Sequence, residues 1–306
     1  MKPLVFALPG NETFADDLSA LVDGERGELT LRHFPDGETY VRVKEEVGDR
    51  RVIIVCTLHR PDDKVLPLFF LAETLRELGA AQVGLVAPYL AYMRQDRRFE
   101  PGEGVTSRYF GQMVSSHVDW LVTVDPHLHR LESLGEVYSV PTKVVHAAPV
   151  VAEWIAHNIE KPVLIGPDAE SEQWVADVAL HAGAPHIVLE KVRRGDRDVE
   201  VSIPDVVRWR EYTPVLVDDI ISTARTMIET LGHLDRADMR AAVCIGVHGV
   251  FAEGAYEELL EAGALRVVTS DTIVHPSNAI TVISGIATAI GRICPGVDAR
   301  IKRSLR

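Results

Sequence analysis

The sequence predicts an α/β protein of two similar domains, each a mostly parallel sheet flanked by helices, and two observations predict it. The first is alternation. Short apolar runs rich in Val and Ile alternate with longer segments of helical period: Val52 to Val55, Val65 to Leu78 and Val83 to Ala87, and later Val163 to Ile165, Trp174 to Ala182 and Ile187 to Leu189. Strands that alternate with helices belong to crossover units, and crossover units build parallel sheets. The second observation is a repeated plan. A strand ending in Pro61-Asp62-Asp63, a helix, Gly79-Ala80 and a strand stand against a strand ending in Pro167-Asp168, a helix, Gly183-Ala184 and a strand. Each plan then reaches an apolar strand ending in acid, Val122-Thr123-Val124-Asp125 and Val215-Leu216-Val217-Asp218. The repeat puts the boundary between Lys143 and Pro149, giving domains 1–146 and 147–306. After Ser222, Met227, Ile228, Leu231 and Leu234 form the single apolar stripe of an amphipathic helix.

Length and composition agree with this organisation and exclude others. The chain has 306 residues, 46% hydrophobic and 25% charged, as in globular proteins of about two domains. A formal net charge of −13 opposes non-specific binding to nucleic acid or to anionic membranes, both of which need a positive field. Any anionic ligand must therefore meet local clusters of cations. The three cysteines, Cys56, Cys244 and Cys294, are far apart and form no C-x-x-C pair, so neither a disulfide framework nor a cysteine zinc site is expected and the reducing cytoplasm is the expected compartment. Leu4 to Leu8 is too short for a signal peptide or a membrane span and reads as a buried first strand; Ala279 to Ile290 also falls short of a span.

Neither G-x-x-x-x-G-K-[ST] nor G-x-G-x-x-G occurs, so a bound nucleotide needs another phosphate site. The most informative segment is Val215 to Thr226. There an apolar strand ends in Asp218-Asp219 and passes through Ser222, Thr223, Ala224 and Arg225 to Thr226 and the helix. Ligands of open α/β sheets bind at the carboxyl ends of strands, and a helix N-terminus offers N–H groups to phosphate. The two carboxylates are suited to sugar hydroxyls or Mg²⁺; the alternative is a strand end with a capping hydroxyl.

Here the sequence resembles the ribose-phosphate pyrophosphokinase (phosphoribosyl diphosphate synthetase) family, whose ribose-phosphate loop reads V-D-D-x-x-D/S-T-G/A-G-T. Five more segments match in the family's order: Phe34-Pro35-Asp36-Gly37-Glu38, Arg94-Gln95-Asp96-Arg97-Arg98, Val124-Asp125-Pro126-His127, Pro167-Asp168-Ala169 and Lys191-Val192-Arg193. The resemblance runs from about residue 4 to residue 290 and implies two domains of phosphoribosyltransferase type. It implies transfer of the diphosphoryl group of ATP to the 1-hydroxyl of ribose 5-phosphate, with Mg²⁺ as cofactor. By the same resemblance Phe34, Asp36, Gly37 and Glu38 read the adenine from a neighbouring subunit, so a homo-oligomer with a shared ATP site is expected.

The remaining assignments also come from the family. Arg94 and Gln95 contact ATP; by chemistry alone this arginine cluster suits polyphosphate, or is a solvated basic loop. His127 stands beside the Mg²⁺–ATP phosphates and Asp168 is the matching carboxylate of the second domain. Without the resemblance, His127 and His129 could hold a transition metal only with ligands that the sequence does not identify. Lys191 and Arg193 open a mobile catalytic loop and supply charge to the transition state. Asp218 and Asp219 hold the ribose hydroxyls, and Ser222, Thr223, Ala224, Arg225 and Thr226 hold the 5-phosphate.

Three departures from the family's pattern stand out. The usual P-D-x-G-G is Pro167-Asp168-Ala169-Glu170-Ser171, Ser222 replaces a common Asp, and Arg225 replaces Gly, where a left-handed backbone would strain it. They mark a divergent branch and motivate two alternatives: a catalytically inactive regulatory paralogue, or a phosphoribosyltransferase that consumes phosphoribosyl diphosphate.

Overall fold

The computed structural model describes residues 1–128, 130–166, 171–188, 190–194, 198–202 and 206–297. It divides into two units: Met1–Val145 together with the segment from Val282, and His146–Thr281.

In the first unit, β1 (Leu4–Ala7) is followed by α1 (Glu12–Leu21), β2 (Glu25–Arg26) and a hairpin of β3 (Leu29–His33) and β4 (Thr39–Val43). Then come β5 (Arg51–Val55), α2 (Asp62–Glu77), β6 (Gln82–Ala87), α3 (Thr106–His117), β7 (Trp120–Val124) and β8 (Thr142–Val145). The sheet has the order β2-β1-β5-β6-β7-β8, with every pairing parallel. Val52 to Val55 are all buried, as required of a strand covered on both faces. α2 turns Leu68, Phe69, Leu71, Ala72 and Leu75 inward. The hairpin lays Leu29, Leu31, Val41 and Val43 on the same core and leaves its tip outside.

The second unit opens with α4 (Ala148–Asn158), β9 (Pro162–Gly166), α5 (Glu172–Ala182), β10 (His186–Val188) and a hairpin of β11 (Glu190–Arg194) and β12 (Asp198–Ser202). It continues with β13 (Thr213–Ile221), α6 (Arg225–Arg236), β14 (Val243–Gly249), α7 (Ala255–Glu261), β15 (Arg266–Ser270) and β16 (Asn278–Ile280). Its sheet, β10-β9-β13-β14-β15-β16, is again parallel throughout.

The two sheets have the same order, element for element, with a hairpin inserted before the third strand in each. This corrects the alignment of halves expected from the sequence. The strand before Asp62-Asp63 is β5, and its counterpart is β13 rather than the strand before Asp168. The strand ending at Asp125 is β7, the counterpart of β15 rather than of β13. Val/Ile runs of similar length look alike one by one, and only the pairing order distinguishes them.

The C-terminal boundary also differs from the expected 147–306. The last helix, α8 (Ile283–Ile293), buries Ile283, Ile286, Ala287 and Ile290 and packs on α1, β7 and β8 of the first unit. Gly285 permits this, because a Cβ there would lie 2.7 Å from the Val145 side chain. α4 does the same for the second unit, packing on α5 and β16. Each sheet's last strand thus leads into the helix that completes the other unit, an exchange that the linear repeat does not reveal.

In the first sheet Gly84 lies opposite Trp120, whose ring occupies the space a side chain would take; a Cβ at Gly84 would come within 2.0 Å of it. Gly84→Ala is expected to lower stability by about 1–3 kcal/mol through overpacking, read as a lower urea midpoint.

Candidate active site

Parallel pairing sets the carboxyl ends of β9, β13 and β14 along one edge of the second sheet. Val215 to Val217 are buried in β13, and the strand then emerges as half-buried Asp218 and Asp219. Asp218 pairs in register with Gly246 of β14, and a Cβ at Gly246 would come within 2.6 Å of the Ile221 side chain. The small residue under the acidic pair is a feature sequence reasoning missed, since nothing local marks Gly246 as facing β13. The Asp219 N–H donates to Asp218 Oδ1 at 3.0 Å.

The turn beyond is braced from outside: the Ala252 N–H donates to the Ser222 carbonyl at 3.0 Å. Ala224, nearly buried, takes the left-handed conformation at φ 57° and sits just before α6, and its carbonyl accepts from the Ile228 N–H at 2.9 Å. The strain anticipated at Arg225 is therefore absent from that residue, which is the exposed first residue of α6; the left-handed position is one earlier. Ser222, Thr223 and Thr226 stand at least partly exposed around this helix start, so the segment offers hydroxyls, N–H groups and one guanidinium beside two carboxylates.

Lys191 and Arg193 occupy alternate positions of β11, opposite Val201 and Val199 of β12. The segment expected to open a loop is extended strand as far as Arg194, because the antiparallel ladder with β12 satisfies its backbone. Asp168 and its neighbours from Pro167 to Glu170 lie outside the described residues, as does His129.

In the first unit Phe34 to Glu38 form the exposed tip of the β3–β4 hairpin. The Phe34 N–H donates to the Glu38 carbonyl at 2.8 Å, the Gly37 N–H to the Phe34 carbonyl at 2.9 Å and the Glu38 N–H to Asp36 Oδ1 at 3.2 Å. Gly37 supplies the φ of 93° that the turn requires. Phe34, 40% exposed, meets Tyr40 edge-on at 5.8 Å, and the Arg32 guanidinium lies 4.8 Å from the Phe34 ring and 4.2 Å from that of Tyr40. An aromatic face beside a cation on a projecting tip suits a flat, electron-rich ring. Arg94 is exposed in the segment after β6, and Gln95 Oε1 accepts from Thr106 Oγ1 at 3.2 Å. His127 is half-buried just beyond β7, behind Asp125, whose φ is 28° and whose N–H donates to the Val145 carbonyl at 3.1 Å.

Comparison with known proteins finds the model of the N-terminal domain of ribose phosphate pyrophosphokinase over residues 4–117 and that of the phosphoribosyl transferase domain over residues 135–280. A ribose-phosphate pyrophosphokinase of Methanothermobacter thermautotrophicus is 32% identical over 286 residues, 93% of this chain and 98% of its own length. That of Methanopyrus kandleri is 34% identical over 276 residues, 89% and 93% of the two chains. The chain belongs to the ribose-phosphate pyrophosphokinase family. The fold agrees: the crystal structure of phosphoribosylpyrophosphate synthetase from Mycobacterium smegmatis superposes with a TM-score of 0.81 at 22% identity, over 92% of this chain and 95% of that one.

Within this pyrophosphokinase-family fold, the turn after β5 is the first unit's counterpart of the Ser222–Ala224 turn, and its chemistry differs. There the carboxylate pair, Asp62-Asp63, opens α2 instead of ending the strand, and Arg60 and Lys64 flank it. The Thr57 N–H donates to Asn11 Oδ1 at 2.8 Å, while Lys64 Nζ donates to the Thr57 carbonyl at 2.9 Å and to His59 Nδ1 at 3.1 Å. Burial first, and then the charges of Lys64 and Arg60, push the His59 pKa down to about 4. Burial likewise lowers that of Lys64. Among the described residues no three His, Cys, Asp or Glu side chains form a metal-binding group, and no helix is long and apolar enough to cross a membrane.

Two outcomes follow from this geometry. A neutral His59 in the fold binds its proton more weakly than the unfolded chain does. Its contribution is present above pH 6.5 and is lost as pH falls toward 4; the thermal midpoint should drop over that range, and His59→Gln should shallow the drop. Ala224→Gly should raise the urea midpoint by about 0.5–1 kcal/mol in stability, since glycine adopts the left-handed conformation without a Cβ penalty.

Proposed function

We propose that this protein transfers the β,γ-diphosphoryl group of ATP to the 1-hydroxyl of ribose 5-phosphate, giving phosphoribosyl diphosphate and AMP. The observation that carries this reading is the similarity to ribose-phosphate pyrophosphokinases over about nine-tenths of the chain, together with the acidic strand end and hydroxyl-rich helix start of the second unit. Neither alternative is favoured: relatives of this length and identity are named for the synthetic activity.

In this reaction O1 of the sugar attacks the β-phosphorus, the bond from that phosphorus to the α,β-bridging oxygen breaks, and the hydroxyl proton passes to solvent or phosphate. Asp218 and Asp219 would hold the ribose hydroxyls, accepting from them and fixing O1 for in-line attack. Ser222, Thr223, Ala224, Arg225 and Thr226 would hold the 5-phosphate through hydroxyls, N–H groups and the α6 N-terminus. Phe34, Asp36, Gly37 and Glu38 would take the adenine, and Arg94 and Gln95 the nucleotide's polar groups. Lys191 and Arg193 would supply charge to the transferring group, strongest in the transition state.

Mg²⁺ is part of this proposal. It ordinarily takes one or two carboxylates, substrate phosphates and water, so Asp168 would offer it a carboxylate and His127 would act through water or on the phosphates. Bound with ATP, it would neutralise charge on the phosphate oxygens. The exposed Phe34 tip supports a homo-oligomer in which the adenine site is shared with a second copy, and three free, buried cysteines suit a cytoplasmic protein.

Purified protein should form AMP from Mg-ATP only when ribose 5-phosphate is present, and Lys191→Ala should lower kcat by on the order of 10²–10³ with its thermal midpoint unchanged. Absence of AMP from the wild-type protein under all metal and phosphate conditions would overturn the reading in favour of a non-catalytic paralogue.

A further inference from the structure

Between β6 and α3 the chain carries a left-handed aromatic residue. Tyr92 has φ 60°, a conformation that costs an L-residue roughly 1–2 kcal/mol and persists only where its surroundings over-determine it. Two contacts do so. The Tyr92 ring packs on the buried Phe110 of α3, centroids 4.7 Å apart and planes tilted by 45°. The Tyr92 hydroxyl donates to Asp62 Oδ1, on the first residue of α2. Burial, followed by the Asp62 hydrogen bond and charge, pushes this phenol up to about 12, so it stays a donor throughout the neutral range.

The flanking residues show what the kink serves. Leu90, Ala91 and Met93 are all buried, and Arg94 emerges directly after them. On the far side, Gln95 is tied to the first turn of α3: Thr106 Oγ1 donates to its side chain, and the Ser107 N–H donates to its carbonyl at 3.3 Å. Arg94 therefore stands on a short stretch fastened to α2 through Tyr92 and to α3 through Gln95.

We infer that Tyr92 is the positioning residue for Arg94 and Gln95, and that its hydroxyl bond to Asp62 holds the turn presenting this pair to the nucleotide. The inference rests on the reading of Arg94 and Gln95 as ATP contacts. In this role Tyr92 acts through Arg94 and Gln95, not on substrate. Without its hydroxyl tie, the backbone keeps its buried anchors while the Arg94 segment samples more conformations, so nucleotide binding weakens before chemistry does.

The experiment is steady-state kinetics on Tyr92→Phe, Asp62→Ala, their double variant, Asp62→Asn and Arg94→Ala, with thermal midpoints measured in parallel. Tyr92→Phe should raise KM for Mg-ATP about three- to tenfold, leaving KM for ribose 5-phosphate unchanged and kcat within about twofold. Asp62→Ala should match it and the double variant should be no worse than either, since all three break one bond. Asp62→Asn, which keeps an acceptor oxygen, should behave as wild type. If Arg94→Ala raises KM for Mg-ATP and Tyr92→Phe does not, the positioning role is overturned and the ATP reading stands. If Arg94→Ala has no effect either, the ATP reading fails and the inference with it. A uniform loss across kcat, both KM values and the thermal midpoint in Tyr92→Phe would show a merely structural residue and overturn the inference.

Discussion

The candidate site at the end of β13, and the covered strands around it, depend on parallel strand pairing. Within both six-stranded sheets every pairing is parallel. All strand carboxyl ends of a sheet therefore fall on one edge, and a helix must carry the chain back each time. The same constraint gathers the acidic end of β13, the turn into α6 and the carboxyl end of β9 at one place, although β9 and β13 are far apart in sequence. It also explains the covered strands: helices on both faces demand apolar residues at consecutive positions, as in Val215-Leu216-Val217 and Val52-Ile53-Ile54-Val55.

An acidic chain that handles phosphate compounds must concentrate its cations. Several of its arginines are positioned by neighbours instead of being left to roam. Arg130 donates to Asp96 at 3.1 Å and lies 5.4 Å from the Phe99 ring, which Arg97 approaches at 5.0 Å; Arg98 Nε donates to the Glu103 carbonyl. The Asp96 side chain is only 3% exposed against 40% for Arg130, and a half-covered pair adds little net stability once desolvation is counted. The effect of these contacts is to give the segment after β6 a definite shape, which a bidentate guanidinium contact needs if it is to bind without a large ordering cost.

The two units show how one topology carries two chemistries. β13 ends in Asp218-Asp219 and passes into a hydroxyl-bearing turn, whereas the segment after β5 carries His59, Arg60 and Lys64 around an Asp62-Asp63 pair that opens α2. Strand order alone therefore does not set the chemistry of a strand end; the residues there and in the first helical turn do so. The family's loop tolerates Arg225 because the left-handed backbone falls on Ala224, a residue with only a methyl group to accommodate. Correspondingly, the hairpin before the third strand carries an aromatic tip in the first unit and the Lys191–Arg193 strand in the second.

The sequence by itself determined the α/β class, the two-unit organisation and the passage from Asp218-Asp219 into an amphipathic helix. These are local: hydrophobic period, turn chemistry and acid placement act over a dozen residues or fewer. Tertiary structure alone decided which strands are counterparts, because pairing partners are chosen among near-identical Val/Ile runs by the packing of the whole sheet. It alone decided that α8 completes the first unit, since an apolar helix face is equally suited to any complementary surface until Gly285 meets Val145. And it alone joined Tyr92 to Asp62, thirty residues apart, because such a bond depends on how the segment after β6 meets the start of α2 and leaves no periodic trace in the chain.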